Sequence, residues 1–188
     1  MKIRVEVSAR HLHLTQHDLE VLFGDGYQLE KFKDLSQGGE FASTAEVTLV
    51  GPKRKIENVR VLGPCRQFTQ IELARTDCFY LGVQAPLRLS GKIEGSGAIQ
   101  VVGPQGTLDL KKGVIIAKRH IHVSDEEAAD MGLKNGQEVS VRSEGPRSLV
   151  FDHVEVRVKD SFNAAVHLDT DEGNAAMLPM TSEGEIII

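Results

Sequence analysis

Two near-copies of one histidine motif lie half a chain apart in this sequence. The first is Arg10-His11-Leu12-His13-Leu14 and the second is Arg119-His120-Ile121-His122-Val123. Residues i and i+2 of a strand point to the same face, so each copy directs two imidazoles into one space. Imidazole pairs at this spacing suit Zn, Cu, Ni or Fe. The repeated motif therefore predicts metal binding.

A single His-x-His pair has a simpler explanation, a partly exposed polar strand face. Duplication argues against that explanation, because a polar face does not require Arg, His and His in the same order twice. Catalytic zinc usually has three protein ligands and one open position, so each pair needs a third ligand. Glu72 and His167 lie in apolar strand-like segments. Alone they fit a solvent-facing acid and a core histidine, but beside two incomplete pairs they are the natural third ligands.

The composition excludes several classes of protein. A length of 188 residues allows one domain or two small ones. The net charge of -5, without a basic block, argues against a nucleic-acid partner. No apolar stretch approaches a membrane span, and the start lacks a signal-peptide core. Cys65 and Cys78 have no framework spacing, so we expect free thiols in a reducing cytoplasm.

Each histidine motif is followed by a short helical pattern. A hydroxyl residue begins each pattern, an acid follows three residues later, and a glycine ends it; these residues are Thr15, Asp18 and Gly24, then Ser124, Glu127 and Gly132. A third short helix is predicted over 76–81, capped by Thr76. Each copy therefore reads as a strand, a His-x-His pair and a short helix.

The remaining chain reads as short strands. They are predicted at 46–50, 55–62, 70–74, 99–102, 138–142, 149–151 and 154–158. A strand about every ten residues is typical of small barrels rather than of a parallel sheet. We expect a mainly β fold of two β-barrel domains with short helices, 1–90 and 91–188, each with one motif. The boundary falls near 86–98, and the terminal strands are candidates to cross between the halves.

The chain resembles the PduL-type phosphotransacylases, or phosphate propanoyltransferases, over almost its whole length. Two duplicated histidine motifs and an Asp-Thr-Asp-Glu block make the resemblance specific. The matching segments are Ser8–Leu14, Val47–Pro52, Asn58–Pro64, Thr69–Thr76, Gly113–Val123 and His167–Ala176.

The resemblance implies two joined β-barrel domains that hold two metal ions, usually zinc, although another divalent metal is possible. One metal would take His11, His13 and Glu72, and the other would take His120, His122 and His167. Arg66 would be the catalytic arginine. The residues around CoA would be Lys33, Arg60, Leu62, Ser90 and Asn174, and Phe79 would lie near the adenine at the interface of a homodimer.

The implied reaction is reversible: acyl-CoA and phosphate give acyl phosphate and CoA, with a propanoyl or acetyl group transferred. CoA leaves as a thiolate, which a metal stabilises, and a guanidinium fork suits phosphate. We assign the CoA sulfur to the first metal and phosphate to the second metal with Arg66. Attack is expected to be direct at this dinuclear site, because the sequence contains no Ser-His-Asp or Cys-His nucleophile unit.

Two departures and two alternatives accompany the resemblance. Several relatives carry an N-terminal extension that targets them to a bacterial microcompartment; here the strand begins at Met1, so we expect a cytoplasmic protein, with the microcompartment lumen as the alternative. Cys65 precedes Arg66 where a small apolar residue is usual, and it receives no catalytic role.

The alternative functions are a metal-dependent acyl-CoA thioesterase, which needs no phosphate, and a non-enzymatic metal-binding module with filled coordination spheres.

Overall fold

The computed structural model describes residues 1–188 as fourteen strands and four short helices. The strands are β1 (Lys2–Ser8), β2 (His11–His13), β3 (Lys31–Asp34), β4 (Phe41–Val50), β5 (Lys55–Gly63), β6 (Gln70–Glu72), β7 (Leu87–Arg88), β8 (Gly97–Val102), β9 (Thr107–Ala117), β10 (His120–Val123), β11 (Glu138–Ser143), β12 (Val150–Val158), β13 (Ala165–Asp169) and β14 (Thr181–Ile187). The helices are α1 (Gln16–Phe23), α2 (Arg75–Leu81), α3 (Asp125–Met131) and α4 (Thr170–Ala175).

The chain divides into two compact units. The central unit comprises Arg10–Ala117, and the terminal unit comprises Met1–Ala9 with Lys118–Ile188. In the central unit, six strands close into a ring in the order β4-β5-β2-β6-β9-β8, while β3 and β7 pair outside the ring with β4 and β9. In the terminal unit, six strands form a closed barrel in the order β1-β13-β10-β12-β11-β14. Each unit is therefore a six-stranded barrel.

The two barrels have the same topology. β2 runs parallel to β5 and antiparallel to β6, as β10 runs parallel to β12 and antiparallel to β13. β9 runs parallel to β6, as β1 runs parallel to β13. β1 leads into the first histidine motif but completes the terminal barrel, and β9 leads into the second motif but completes the central one. Each repeat thus gives its first strand to the barrel that contains the other motif.

Strand alternation fixes which face carries the histidines. The residues between the paired histidines, Leu12 and Ile121, are fully buried, and each belongs to the apolar core of its own barrel. Their cross-strand neighbours Ile71 and Val166 are buried in the same cores. Because successive side chains point to opposite faces, each His-x-His pair lies on the outer face of its barrel.

The predicted mainly β class with two barrels and short helices is confirmed. Thr15 and Ser124 cap α1 and α3, and Gly24 and Gly132 end them, as predicted. The predicted cap of the third helix is wrong: Ala74 is the N-cap of α2, because the Asp77 carboxylate accepts the Ala74 N–H at 3.3 Å. α4 was not predicted. The predicted strands at 149–151 and 154–158 are a single strand, β12.

The division of the chain into domains 1–90 and 91–188 stays a prediction. No helix in this structure is both long enough and apolar enough to cross a lipid bilayer.

Candidate functional site

The first motif and Glu72 form one cluster in the central unit. β2 and β6 pair so that His11 lies opposite Glu72 and His13 lies opposite Gln70. One ligand atom from each of His11, His13 and Glu72 lies within 4.8 Å of the others. The His11 Nε2 and Glu72 Oε2 atoms are 3.6 Å apart. Two short antiparallel strands therefore place Glu72 beside two histidines that lie 61 and 59 residues earlier in the sequence.

His13 is the most buried member of this cluster, with 2% of its surface exposed. Burial, together with the nearby charges of His11 and Arg66, lowers the pKa of His13 to about 2. The imidazole is therefore neutral at physiological pH, which is the form that binds a metal. Its Nδ1 atom is buried and has no hydrogen-bond partner. A buried acceptor or donor without a partner is costly, and metal coordination is one way to satisfy this histidine.

Gln70 links Glu72 to the turn that follows β7. Its side chain is fully buried. Its Nε2 group donates to Glu72 Oε1 at 2.7 Å and to Ser90 Oγ at 2.8 Å, while its Oε1 accepts the Gly91 N–H at 2.8 Å. Both amide protons donate and the amide oxygen accepts, so Gln70 holds one carboxylate oxygen of Glu72 and leaves the other facing His11.

Arg66 belongs to the surroundings of the first cluster. Its backbone N–H donates to the Leu14 carbonyl at 2.8 Å, which fixes the residue beside the end of the first motif. Its guanidinium donates to Glu40 Oε1 at 2.6 Å and to Ser90 Oγ at 3.3 Å. Through Ser90 and Gln70, the Arg66 fork is connected to the carboxylate of Glu72.

The second motif and His167 form a matching cluster in the terminal unit. β10 and β13 pair so that His120 lies opposite His167. One ring nitrogen from each of His120, His122 and His167 lies within 4.8 Å of the others. The ring centroids of His122 and His167 are 4.8 Å apart, and those of His120 and His167 are 5.1 Å apart. Three imidazoles therefore face one space.

Neighbouring groups orient these three rings. His120 Nδ1 donates to the Lys118 carbonyl at 2.9 Å, which leaves Nε2 as the lone-pair nitrogen. His167 Nδ1 lies 3.8 Å from Glu6 Oε2, an acid of β1 that is directly opposite His167 in the sheet. The His122 ring stacks on Phe162 at a centroid distance of 3.8 Å. Metal-binding histidines usually have such partners on the nitrogen that does not bind the metal.

Both donor sets fit a divalent transition metal such as zinc. Two histidines with one carboxylate, and three histidines, are both ligand sets of catalytic zinc sites that keep an open position. The neutral, unpartnered Nδ1 side of His13 and the oriented Nε2 of His120 supply suitable lone pairs. The structure therefore brings together all six residues expected to bind metal, in two groups of three.

Comparisons with known proteins identify the family. A model of phosphate propanoyltransferase matches residues 4–179. The chain belongs to the phosphate propanoyltransferase family. It is 54% identical over 177 residues to the phosphate propanoyltransferase of Thermotoga maritima, covering 94% of this chain and 84% of that one. It is 54% identical to the Lachnoclostridium phytofermentans enzyme, covering 94% and 83%, and 45% identical to the Planctopirus limnophila enzyme, covering 97% and 76%. The chain is accordingly a phosphate acyltransferase.

Four of the residues expected around CoA in this family lie in the central unit. Arg60 and Leu62 on β5 are opposite His11 and His13, and so share the outer face with the first cluster. Lys33 is exposed on β3, and Ser90 belongs to the Arg66 network. Asn174 is exposed on α4 of the terminal unit.

Arg60 is anchored on the outer face of the central barrel. Its guanidinium donates to the Ser43 carbonyl at 2.6 Å, pairs with Glu46 and lies 5.1 Å from the centre of the exposed Phe32 ring. These contacts hold a positive charge one strand away from His11. A fixed guanidinium in this position is suited to phosphate groups of a substrate.

A cavity of about 760 Å³ opens beside α2 in the central unit. Two basic residues, Lys53 and Arg75, line it together with Phe79 and the turn that contains Val83 and Pro86. Phe79 is 68% exposed, and the Arg75 guanidinium lies 5.4 Å from the centre of its ring. An aromatic ring beside a guanidinium, in a cavity that also contains a lysine, is suited to a base and its phosphates.

Sequence reasoning missed several residues that support the two clusters. Gln70 and Phe162 contact a predicted metal ligand directly, and Glu6 lies beside one. For Gln70 a signal existed, since it lies two residues before Glu72 in an otherwise apolar strand and so shares its face. For Phe162 no signal existed, because it lies in a loop whose approach to His122 depends on the folded chain.

Proposed function

We propose that this phosphate acyltransferase transfers a short acyl group, propanoyl or acetyl, reversibly between CoA and inorganic phosphate. Two divalent metal ions, zinc in our proposal, take part in the reaction, one bound by each histidine cluster. The observation that carries the proposal is the repeated three-ligand cluster, in which Glu72 and His167 complete two equivalent His-x-His pairs. The proposed reaction rests on family membership, and the proposed role of metal rests on the two clusters.

A metal ion held by such a cluster would supply Lewis-acid stabilisation for the thiolate of departing CoA and for the charge on phosphate. Arg66 is the residue that binds phosphate in this proposal. Its planar fork presents parallel N–H donors to two phosphate oxygens. In the free protein this fork is paired with Glu40, so phosphate competes with a carboxylate for the same donors. Ser90 keeps one side of the guanidinium oriented throughout.

The Arg66 network favours a revised position for phosphate. The sequence interpretation assigned phosphate to the second metal. The hydrogen bonds of Arg66 lead through Ser90 and Gln70 to Glu72, a member of the first cluster. We therefore propose that phosphate binds beside the first cluster.

Attack is direct in this proposal. A phosphate oxygen attacks the thioester carbon, the carbon–sulfur bond breaks, and CoA leaves as a thiolate. An acyl-enzyme route would need an activated nucleophile. Cys65, the thiol next to Arg66, is not activated, because burial raises its pKa and the negative charge of Glu20 raises it further.

The CoA moiety is proposed to bind along the outer face of the central barrel. Lys33, Arg60 and Leu62 would contact it there, with Ser90 beside the Arg66 network, and Asn174 is retained as a further CoA residue. Phe79 and the cavity beside α2 would receive the adenine. The positive charges of Lys53 and Arg75 in that cavity support this placement.

The decisive experiment is a thiol-release assay on purified protein with acetyl-, propanoyl- and butanoyl-CoA, with and without phosphate. We expect thiol release that requires phosphate and yields acyl phosphate, which is trapped as a hydroxamate. Release of free acid without phosphate would instead identify a metal-dependent acyl-CoA thioesterase. Absence of thiol release under both conditions in a metal-loaded protein would support a non-enzymatic module. The series also measures the preferred acyl group, because one methylene changes binding by about 1–3 kcal/mol in a fitted pocket.

A homodimer is also proposed. Phe79 and Tyr80 are 68% and 45% exposed on α2, and aromatic residues of this kind are enriched at interfaces. Light scattering should give twice the chain mass, and a monomer at working concentration would contradict the proposal. A cytoplasmic location is proposed from the cysteine content, because Cys65 and Cys78 are the only two cysteines and lack the spacing of a disulfide framework. Co-purification with microcompartment shell particles would contradict it.

A further inference from the structure

The arginine of the first motif pairs with the helix that follows the third ligand. Arg10 Nη1 donates to Asp77 Oδ1 at 2.7 Å. The other oxygen of this carboxylate accepts the Ala74 N–H at the start of α2, at 3.3 Å. Ala74 lies two residues after Glu72. One carboxylate therefore connects the start of the histidine strand with the end of the strand that carries the third ligand.

The arginine of the second motif makes the same connection. Arg119 Nη1 donates to Glu172 Oε1 at 2.8 Å, and its Nε donates to the Asp152 carbonyl at 2.7 Å. The other oxygen of Glu172 accepts the Asp169 N–H at 3.0 Å, where α4 begins. Asp169 lies two residues after His167. The pair is half-buried, with side-chain exposures of 30% for Arg119 and 21% for Glu172.

The two connections use the same sequence positions. Each arginine directly precedes the first histidine of its motif, and each acid follows the third ligand by five residues, as Asp77 follows Glu72 and Glu172 follows His167. The third ligands differ in type, and so do the acids. The arginine–acid pair is therefore maintained although the residues on both sides of it have changed.

We propose that Arg10 and Arg119 are positioning residues for the two metal sites, each holding the third ligand at its distance from the His-x-His pair. The inference rests on the metal binding proposed above and adds the groups that preorganise it. β2 with β6, and β10 with β13, share only three register pairs each. So short a ladder leaves the relative position of ligands sensitive to what holds its ends, and the arginine–acid pair closes one end.

The arginine–acid pair opposes the repulsion between the metal ligands. Without a metal, three groups whose ligand atoms carry partial negative charge converge at each cluster, and their mutual repulsion favours separation of the strands. A charge-assisted hydrogen bond at the strand end opposes that movement. The bond touches no ligand atom, so its loss should weaken metal binding without removing a ligand.

The test uses cobalt(II) as the metal probe in a full-length His13→Ala background, in which only the second cluster keeps three ligands. Affinity is measured by competition with a chelator, and the coordination is followed by visible absorption. Arg119→Met should weaken cobalt binding about ten- to a hundredfold and alter the absorption bands. Arg119→Lys should recover part of the affinity, because it keeps the charge but not the two-point contact.

Arg142→Met is the matched control, since Arg142 is a more exposed arginine of the same unit that pairs with Glu185 at 3.7 Å. Glu172→Gln is the second variant, which keeps an acceptor for the Asp169 N–H but removes the charge that Arg119 binds; it should weaken binding as Arg119→Met does. Equal affinity and equal spectra for Arg119→Met, Glu172→Gln and Arg142→Met would overturn the inference, whatever their thermal stability. Absence of cobalt binding in the His13→Ala protein itself would contradict the proposed metal site instead.

Discussion

Glu72 and His167 occupy the same place in their two barrels. Each lies directly opposite the first histidine of a motif, on the antiparallel neighbour of the histidine strand. A carboxylate and an imidazole thus serve equivalent positions, and the two clusters differ by one negative charge. With a divalent cation bound, the net positive charge of the first cluster should therefore be one unit smaller than that of the second.

The equivalence predicts the result of exchanging the third ligand. Glu72→His should keep one metal at the first cluster, because it recreates the ligand set of the second, whereas Glu72→Ala should lose that metal. Elemental analysis of both variants after gel filtration measures the difference. Equal metal content in the two variants would mean that Glu72 is not a ligand.

Metal content itself is a direct prediction. Protein purified without chelator should contain close to two metal ions per chain, mostly zinc, because there are two clusters of three ligands. Treatment with a chelator should abolish activity, and added zinc should restore it. A reproducible content near zero in active protein would end the metal hypothesis.

Replacing His122 should cause the most complete loss of metal and activity. The centre of its ring lies 4.5 Å from that of His120 and 4.8 Å from that of His167, and the ring stacks on Phe162. His122→Ala should remove one metal per chain and nearly all activity, since two remaining ligands hold catalytic zinc poorly. His17→Ala is the control, because His17 is an exposed histidine of α1 outside both clusters. Unchanged metal content in His122→Ala would contradict the assignment.

The sequence predicted the parts of the site that repeat and little of what supports them. The regular spacing of strands predicted the barrels, and the repeated pattern of a hydroxyl residue, an acid and a glycine predicted the helix caps at Thr15 and Ser124. The support of Glu72 by Gln70 depends on Ser90, which is 20 residues further along and lies in a turn. Such contacts arise from folding of the loop and leave no periodic signal.

Two other features of the fold were not predicted from the sequence, for different physical reasons. The six-residue α4 contains Gly173 and is too short to show a helical period. The sequence offered the terminal strands as candidates to cross between the halves but not β9, because either barrel offers that strand a parallel neighbour at the same register position. Only the closed ladders distinguish the two arrangements.

Cys65 should react slowly with alkylating reagents. Burial, and then the charge of Glu20, raise the pKa of its thiol, so the thiolate fraction at neutral pH is below that of a free cysteine. The rate of iodoacetamide labelling should therefore rise at a higher pH than for a model thiol, as measured by mass spectrometry. Cys65→Ala should retain activity. Loss of turnover in a metal-loaded Cys65→Ala protein would restore a catalytic role for the thiol.

Arg66 gives the sharpest prediction for activity. Arg66→Ala should keep both metals and the fold, because its guanidinium contacts Glu40 and Ser90 and no ligand atom. Turnover should fall by about a hundredfold or more, since one donor to a developing charge contributes about 2.7–4 kcal/mol. Arg66→Lys should not restore full turnover, because an ammonium group cannot reproduce the two-point fork.

Glu40→Gln separates the two roles of the Arg66 fork. Glu40 holds Arg66 in the free protein at 2.6 Å and competes with phosphate for it. Removing that charge should lower the KM for phosphate, whereas Arg66→Ala should raise it together with the loss of kcat. Phosphate-dependent thiol release with near-wild-type kcat and KM in a metal-loaded Arg66→Ala protein would remove Arg66 from the mechanism. The effect of Glu40 would then have to act through another group.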